Sequence, residues 1–369
     1  MGDTKTNWRH FDFLLLGTVA VLSIFGVTMI RSAIAGNIEL ADLDLVTRQI
    51  IFIVIGFIVI LITSSIDYHL WAALSRPIYL GMALLLAVLF VVGAALFGSA
   101  RWFDTGVILI QPSELAKIVV IIALADFFSR NQNQVHDLRW IARSFMMTLG
   151  IVVWIILQPN LSTSIVILVI WFALLWASGL QFRHLLLFTG MGLIAPILGY
   201  PFLQSYQKQR ILNFLFPDPS ATQGELYNIQ QALITIGSGG WLGKGYDQGS
   251  QVQLRFLKVR HSDFIFAATA EEFGFIGTVI VMLLLLFVIY RCLRGARLAR
   301  DTFGALICYG VATLIAFQAM ANIGANLKMI PATGLTLPFI SYGGSSMLSL
   351  LLGIGLVESV ILRHKALEF

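Results

Sequence analysis

The chain has few charged residues and few cysteines. Only 12% of its 369 residues are Asp, Glu, Lys or Arg, whereas 58% are hydrophobic and the mean hydropathy is +0.87. Soluble domains carry about 25% charged residues, so this composition excludes a soluble fold. The two cysteines, Cys292 and Cys308, form neither a disulfide framework nor a metal-binding motif. The composition therefore predicts a protein that has the bilayer as its solvent.

The apolar residues form ten runs, each long enough to cross a bilayer as a helix of about 17 to 25 residues. Membrane β-strands need only about ten alternating residues, so these runs exclude a barrel. We predict an all-α, polytopic integral membrane protein with ten transmembrane helices. The spans are predicted near residues 12–31, 48–65, 77–98, 112–129, 144–158, 161–178, 184–204, 264–290, 302–325 and 338–362.

The distribution of Lys and Arg predicts the orientation. With the N-terminus in the cytoplasm, thirteen cations fall on inner ends and loops and four on short outer connections: Arg31, Arg48, Arg101 and Lys328. An even number of spans then places both termini in the cytoplasm, in agreement with the positive-inside rule. The pI of about 9.3 does not indicate nucleic acid, because the cations are spread over loops without a basic patch.

One polar segment is much longer than the others. We treat residues 1–369 as a single membrane domain, with spans one to seven in 1–204, a long extracytoplasmic loop in 205–262, and spans eight to ten in 263–369. Loops of this length usually have a function. The loop is net positive on the face where cations are disfavoured, which predicts an anionic ligand.

Two patterns stand out within this loop. Thr222 to Glu225 form a capping box, and apolar residues at helical spacing follow as far as Gly237, which predicts an amphipathic helix at the membrane surface. The glycine-rich stretch 237–245 departs from the phosphate-binding pattern, because Ser238 and Gly245 occupy the positions of its first Gly and its final Ser or Thr. That stretch is either a flexible loop facing substrate or a plain turn.

Charged residues also lie at the starts of two predicted spans. Glu114 and Lys117 share one face of span four, either as an ion pair that stabilises the helix start or as functional groups. Placing a lysine in the apolar band costs roughly 2.5–3.5 kcal/mol, which favours a task for it. At span eight, Ser262 or Asp263 could simply cap the helix. Residues 271–272 are both Glu, and they are either a structural pair or part of an ion path.

Five motifs occur in an order that is typical of one family. They lie at residues 111–117 (QPSELAK), 158–161 (QPNL), 230–240 (ending GSGG), 260–266 (RHSDFIF) and 337–345 (LPFISYGGS). Through them the chain resembles the SEDS family of bacterial shape, elongation, division and sporulation proteins, which includes RodA, FtsW and SpoVE. The resemblance covers essentially the whole membrane region, and the compact length is more typical of RodA than of FtsW.

The resemblance implies a peptidoglycan glycosyltransferase of the bacterial plasma membrane, which polymerises lipid II on the extracytoplasmic face during cell elongation. The family's aspartate matches Asp263, and its polar helix start matches Glu114 and Lys117. Arg101 and Arg210 match basic positions thought to surround the diphosphate. The family also implies a class B penicillin-binding protein, a transpeptidase, as partner.

Two motif positions depart from the family pattern. Asn160 replaces the usual aspartate of the second motif, so a role that needs a carboxylate there is in doubt. Ser262 replaces the commoner threonine but keeps the hydroxyl, and we include it among the substrate-binding residues.

This substrate needs a base for the attacking hydroxyl and cations for the departing diphosphate. We assign the base to Asp263 and the cations to Lys117, Arg101, Arg210 and Arg260, with Glu114 orienting Lys117 or raising the basicity of Asp263. A divalent cation could assist, although no ligand cluster is legible in the sequence. Two other functions stay open: a lipid-linked oligosaccharide flippase, and a non-enzymatic scaffold for a cell-wall synthase.

Overall fold

The computed structural model describes residues 10–35, 44–97, 101–104, 109–131, 138–181, 184, 190, 200–202, 204–216, 224–254, 256–257 and 259–364. Helices dominate these ranges, in agreement with the predicted all-α class. The only strands in the described part of the chain are β1 (Phe103–Asp104) and β2 (Leu109–Ile110), which pair antiparallel in a short hairpin.

The helices are α1 (Phe13–Ile34), α2 (Leu45–Ser65), α3 (Tyr68–Ala73), α4 (Ser75–Phe97), α5 (Pro112–Arg130), α6 (Leu138–Leu157), α7 (Leu161–Ala177), α8 (Ser205–Leu215), α9 (Gly224–Gly239), α10 (Ser250–Gln253), α11 (Ile265–Leu298), α12 (Thr302–Asn326) and α13 (Gly344–Leu362). Within the described ranges, six of them are long and apolar enough to cross a membrane: α1, α2, α6, α11, α12 and α13. The chain is therefore an all-α membrane protein.

Nine of the ten predicted spans coincide with a helix in the described ranges. Most of the seventh, predicted at 184–204, lies outside the described residues. The tenth is shorter than the predicted 338–362, because α13 begins only at Gly344. The preceding residues form turns, and Phe339 adopts a positive φ of 64°, which a helix does not allow.

Helix α5 lies at the centre of the bundle. Most of its residues are buried, and it contacts α4, α7, α12 and α13. It also carries several charged residues, and a position among other helices supplies partners for them that lipid could not.

The described residues of the loop between the seventh and eighth predicted spans form the helices α8, α9 and α10 and include non-helical segments at 240–249 and 259–262. Helix α9 confirms the predicted helix and runs two residues beyond Gly237; the predicted cap at Thr222 lies outside the described residues. Ile229 and Ala232 pack against Phe264 and Ala267, so the apolar face of α9 is held against the start of α11. This packing brings the loop to the residues that precede α11.

Candidate active site

Asp263 lies in a tight turn that immediately precedes α11. The turn contains Val259 in the left-handed region (φ 53°), and the carbonyl of Val259 accepts from the N–H groups of Ser262 (3.2 Å) and Phe264 (3.4 Å). Phe264 is the N-cap of α11 and makes no side-chain capping hydrogen bond, and the side chains of Ser262 and Asp263 are not the caps of that helix either. Neither Ser262 nor Asp263 therefore has the capping role that would have explained it structurally.

A second turn, at residues 337–343, supports the Asp263 turn. The N–H of Tyr342 donates to the carbonyl of His261 at 2.9 Å, and the hydroxyl of Ser341 donates to the carbonyl of Ser262 at 2.7 Å. The same hydroxyl accepts from the N–H of Leu337 at 2.8 Å. These bonds use backbone groups that a helix would otherwise need, which explains why α13 starts late.

Two asparagines of α12 hold the backbone of Asp263. The side-chain amides of Asn322 and Asn326 donate to the Asp263 carbonyl at 3.0 and 2.9 Å. The side-chain oxygen of Asn326 accepts from the N–H of Ala267 at 3.2 Å, so Asn326 caps α11 from a neighbouring helix. The sequence analysis missed both residues, although polar side chains four apart within an apolar span are a signal.

A cavity of about 720 Å³ opens beside Asp263. Five of the seven predicted site residues line it: Arg101, Glu114, Arg210, Ser262 and Asp263. Further polar lining comes from Arg48, Gln111, Asn160, Gln207, His261, Thr333, Thr336, Tyr342, Ser345 and Ser346. Lys117 and Arg260 are not among the residues that line this cavity. The fold thus gathers residues from α2, α5, α7, α8, α12 and the turn before α11 around one space.

Three arginines give the cavity a positive wall. Arg101 donates from Nε to the carbonyl of Gln158 (2.8 Å) and from Nη2 to that of Pro159 (2.7 Å), which holds its guanidinium at the start of α7. Arg210 donates to the carbonyl of Ala332 at 3.3 Å. Arg48 joins them, a residue that the sequence placed on the outer side without assigning it to the site.

Glu114 and Lys117 form a buried ion pair beside the cavity. The ammonium Nζ of Lys117 lies 2.7 Å from Oε2 of Glu114, and the lysine side chain has 0% exposure. Glu114 lines the cavity and Lys117 does not, so the lysine holds the carboxylate from behind the cavity wall. The hydroxyl of Ser349 also donates to the Glu114 carbonyl (2.8 Å), which fixes α5 against α13.

Arg260 has a structural position. Its Nε donates to the carbonyl of Ala33 at the end of α1, and its Nη1 donates to the carbonyl of Leu257 at 3.3 Å. Arg260 is buried, with 4% of its surface exposed. The guanidinium therefore ties α1 to the Asp263 turn, whereas the sequence analysis assigned it to the diphosphate.

The surroundings of Asp263 suit a base. Burial raises the pKa of its carboxyl, while the Ser262 hydrogen bond and the charge of Arg210 lower it, and the net direction is upward. Burial and the adjacent Arg260 lower the pKa of His261, which favours its neutral form. A carboxylate with a raised pKa accepts a proton more readily than a solvated aspartate.

Asn160 caps α7 and lines the cavity. Its Oδ1 accepts from the N–H of Thr163 (3.2 Å), and its Nδ2 donates to Oγ of Ser113 (3.4 Å). An aspartate would cap equally well. Asn160 thus keeps the helix-capping role of this position without the negative charge of an aspartate.

Glu271 lies on the side of α11 that faces the glycine-rich loop. It has 0% exposure and accepts from Nζ of Lys244 (2.7 Å) and from the N–H groups of Gln251 (2.9 Å) and Val252 (3.1 Å). Neither Glu271 nor Glu272 lines the cavity. The stretch 237–245 does not line it either, so the interpretation as a substrate-facing loop lacks support.

No metal site is visible among the residues that the structure describes. No three His, Cys, Asp or Glu side chains come together there in a position to hold an ion. Among the described lining residues, the carboxylates are Asp263 and Glu114, and the second of these is engaged by Lys117. The cavity is better suited to an anion than to a resident cation.

Comparisons with known proteins agree with the geometry. The family described as "Cell cycle protein", FtsW/RodA/SpoVE, matches residues 12–366. The peptidoglycan glycosyltransferase MrdB of Escherichia coli K12 is 34% identical, with 99% of this chain and 97% of MrdB covered. The probable peptidoglycan glycosyltransferase FtsW of Geobacter sp. M18 is 32% identical, with 96% and 98% covered.

A solved structure is also similar. It concerns the structural coordination of polymerization and crosslinking by a peptidoglycan synthase complex, and the match has a TM-score of 0.81 at 30% identity, covering 96% of this chain and 98% of that one. On the family match, the near-complete coverage and the shared fold, the chain belongs to the FtsW/RodA/SpoVE family, also called SEDS.

Proposed function

We propose that this chain is a peptidoglycan glycosyltransferase that polymerises lipid II into β-1,4 glycan strands in the cavity beside Asp263. The observation that carries the proposal is the meeting of a partly buried carboxylate with three arginines around one space. The family relatives named as peptidoglycan glycosyltransferases support the same activity.

The proposed reaction is a single displacement. Asp263 accepts the proton of the acceptor 4-hydroxyl as its oxygen forms a bond to the donor's anomeric carbon. The bond from that carbon to the diphosphate breaks, and undecaprenyl diphosphate leaves with the electron pair. Arg48, Arg101 and Arg210 stabilise the charge on the leaving group. Attack opposite this group inverts the α-linked donor to a β product without a covalent intermediate.

Glu114 and Lys117 act on the reaction from the cavity wall. Two roles stay open for Glu114, as in the sequence analysis: it orients Lys117, or it raises the basicity of Asp263 through repulsion between like charges. Lys117 holds Glu114 in position through the 2.7 Å contact. Ser262 acts through its hydrogen bond to Asp263.

The cellular setting follows from the family. We propose an extracytoplasmic active site, cytoplasmic termini and a class B penicillin-binding protein transpeptidase as partner, which the similarity to a chain of a peptidoglycan synthase complex supports. A role in cell elongation rests on the RodA-like length. The identities of 34% and 32% to MrdB and FtsW are compatible with either branch.

The test is polymerisation of lipid II by purified protein, with moenomycin added to block contaminating polymerases. Asp263→Asn removes the base with little change in shape, and we expect a loss of roughly 100- to 10,000-fold. Asp67→Asn is the matched control, because Asp67 is also a partly buried aspartate shortly before a helix but lies beyond the far end of α2, away from the cavity. Equal activity of wild type and Asp263→Asn would exclude the proposed base. Lipid movement between leaflets without polymer from either would favour a flippase.

A further inference from the structure

The glycine-rich loop is joined to a break in α11. Gly274 has φ 66° and ψ −166°, which interrupts the helix. The N–H groups of Phe275 and Ile276 donate to the carbonyls of Gly240 (2.9 Å) and Trp241 (3.1 Å) in the loop. The break leaves these two N–H groups without acceptors inside the helix, and the carbonyls of the loop accept their hydrogen bonds instead.

The contact also runs in the other direction. The N–H groups of Lys244 and Gly245 donate to the carbonyls of Glu271 and Glu272 at 2.9 and 3.0 Å. A side chain at Gly243 would bring its Cβ within 2.2 Å of the Glu272 carbonyl oxygen, so only glycine permits this approach. Four backbone hydrogen bonds thus fix residues 240–245, which we call the Trp241 turn, against the helix.

Glu271 holds the same turn through its side chain. Its buried carboxylate accepts from Nζ of Lys244 at 2.7 Å and also from the hydroxyls of Ser238 and Ser250, each at 3.3 Å. The ammonium of the turn's one charged residue is therefore directed inward, against Glu271. The Trp241 turn is a rigid element with apolar side chains outside.

Those outer side chains are large and exposed. Trp241 is 73% exposed and Leu242 is 78% exposed. The Trp241 ring packs edge-on against Phe275 with ring centroids 5.2 Å apart, and Phe275 and the neighbouring Ile276 are also exposed. Exposure of two bulky apolar side chains to water is unfavourable, so we expect Trp241 and Leu242 to contact an apolar environment.

Helix α11 indicates which environment this is. Below the break its exposed face is apolar from Phe275 to Tyr290, a length of about 22 Å at 1.5 Å per residue. Arg291, Arg294 and Arg297 then follow at the other end. A stripe of this kind is the lipid-facing side of a span, with hydrocarbon about 30 Å thick. The Trp241 turn lies at the outer end of this stripe, where bilayers concentrate Trp and Tyr.

We infer that the Trp241 turn is a membrane anchor, with Trp241 and Leu242 inserted at the boundary between headgroups and acyl chains of the outer leaflet. The same face is continuous with the lipid-facing stripe of α11, which favours lipid over a soluble partner. Asp263 precedes Gly274 by eleven residues, roughly 16 Å along the helix axis. The anchor thus holds Asp263 on the polar side of the hydrocarbon, at the level of lipid headgroups.

The test measures the depth of position 242 directly. Leu242→Cys carries a nitroxide label in vesicles of phosphatidylethanolamine and phosphatidylglycerol, and its collision rates with oxygen and with a water-soluble nickel complex are compared. Leu283→Cys on the exposed face of α11 is the lipid reference, and Gln209→Cys on α8 is the water reference. Unsubstituted protein gives the background, since Cys292 and Cys308 are buried.

We expect the label at position 242 to have higher oxygen access and lower nickel access than position 209, with values between those of positions 209 and 283, because the boundary is shallower than the middle of α11. Values like those of position 209 would overturn the anchor. Protection from both reagents would also overturn it, because protein would then cover the turn. As a second measurement, brominated lipids should quench part of the tryptophan fluorescence of the unsubstituted protein, and less of it in Trp241→Phe. Equal quenching in the two proteins would contradict the insertion.

Discussion

Two carboxylates on either side of the start of α11 show how a membrane protein separates function from structure. Asp263 lies in a turn on the wall of a cavity, with backbone groups held by Asn322 and Asn326 and its carboxyl facing arginine charge. The carboxylate of Glu271, eight residues later, accepts hydrogen bonds from five donors among the described residues and does not line the cavity. The first acid is supported through its backbone and has its carboxyl beside the cavity, where we propose the base, whereas the carboxyl of the second is bonded to groups of the neighbouring loop.

Removing the Glu271 carboxylate, which accepts five hydrogen bonds, should have the largest effect on stability. Glu271→Ala leaves the Lys244 ammonium and the N–H groups of residues 251 and 252 without their acceptor. The Lys244 side chain is 31% exposed, but each buried donor left without an acceptor costs about 1–3 kcal/mol, so the apparent melting temperature in detergent should fall strongly. Gln248→Ala, at an exposed residue of the same loop, is the control and should change the midpoint little. A Glu271→Ala protein as stable as wild type would contradict the structural role.

Removing the charge opposite the functional acid should have a smaller effect, of a different kind. Arg210→Gln removes a charge that lowers the pKa of Asp263, so that pKa should rise. Because the base must be ionised, the acidic limb of the activity profile should move to higher pH. Loss of a charge-assisted contact of about 1.5–3 kcal/mol should also lower kcat/KM roughly 10- to 100-fold. The pH profile of lipid II polymerisation measures both. Arg130→Gln, at the far end of α5, is the control. An acidic limb that does not move in Arg210→Gln would show that Arg210 does not act on the pKa of Asp263.

The smallest effect is expected from the backbone support of Asp263. Asn326→Ala removes one of two donors to the Asp263 carbonyl and the acceptor for the Ala267 N–H. With Asn322 still in place, we expect a loss of about 1 kcal/mol, or several-fold in kcat, with an unshifted pH profile. Asn322→Ala removes the other donor to that carbonyl and leaves the acceptor for the Ala267 N–H in place, so the two variants together separate the two contributions. An unchanged kcat in Asn326→Ala would show that Asn322 alone suffices.

Much of the fold followed from local pattern. Nine of the apolar runs located by hydropathy coincide with helices in the described residues, and six of these helices are long and apolar enough to cross a membrane, because a span needs its own run of apolar residues. The helix at 224–239 also followed, from the spacing of its apolar residues. The late start of α13 did not follow, because it depends on hydrogen bonds between residues 337–343 and the distant Asp263 turn.

The roles of individual cations could not be predicted in the same way. The sequence grouped Lys117 and Arg260 with the substrate-binding residues, yet Lys117 pairs with Glu114 and Arg260 binds the end of α1. Arg48 lines the cavity without any motif to indicate it. Charge type and membrane side can be read locally, but the direction of a long side chain depends on which helix packs beside it.

By itself, the amino-acid sequence determined a helical membrane protein, its family and an acid at the entrance of one span, because hydropathy and motif order are local properties. The tertiary structure decided what surrounds that acid and its neighbour Glu271. Asp263 and Glu271 are eight residues apart and of similar chemical type, and they differ only in what the rest of the chain places around them: a cavity in one case and a loop of donors in the other.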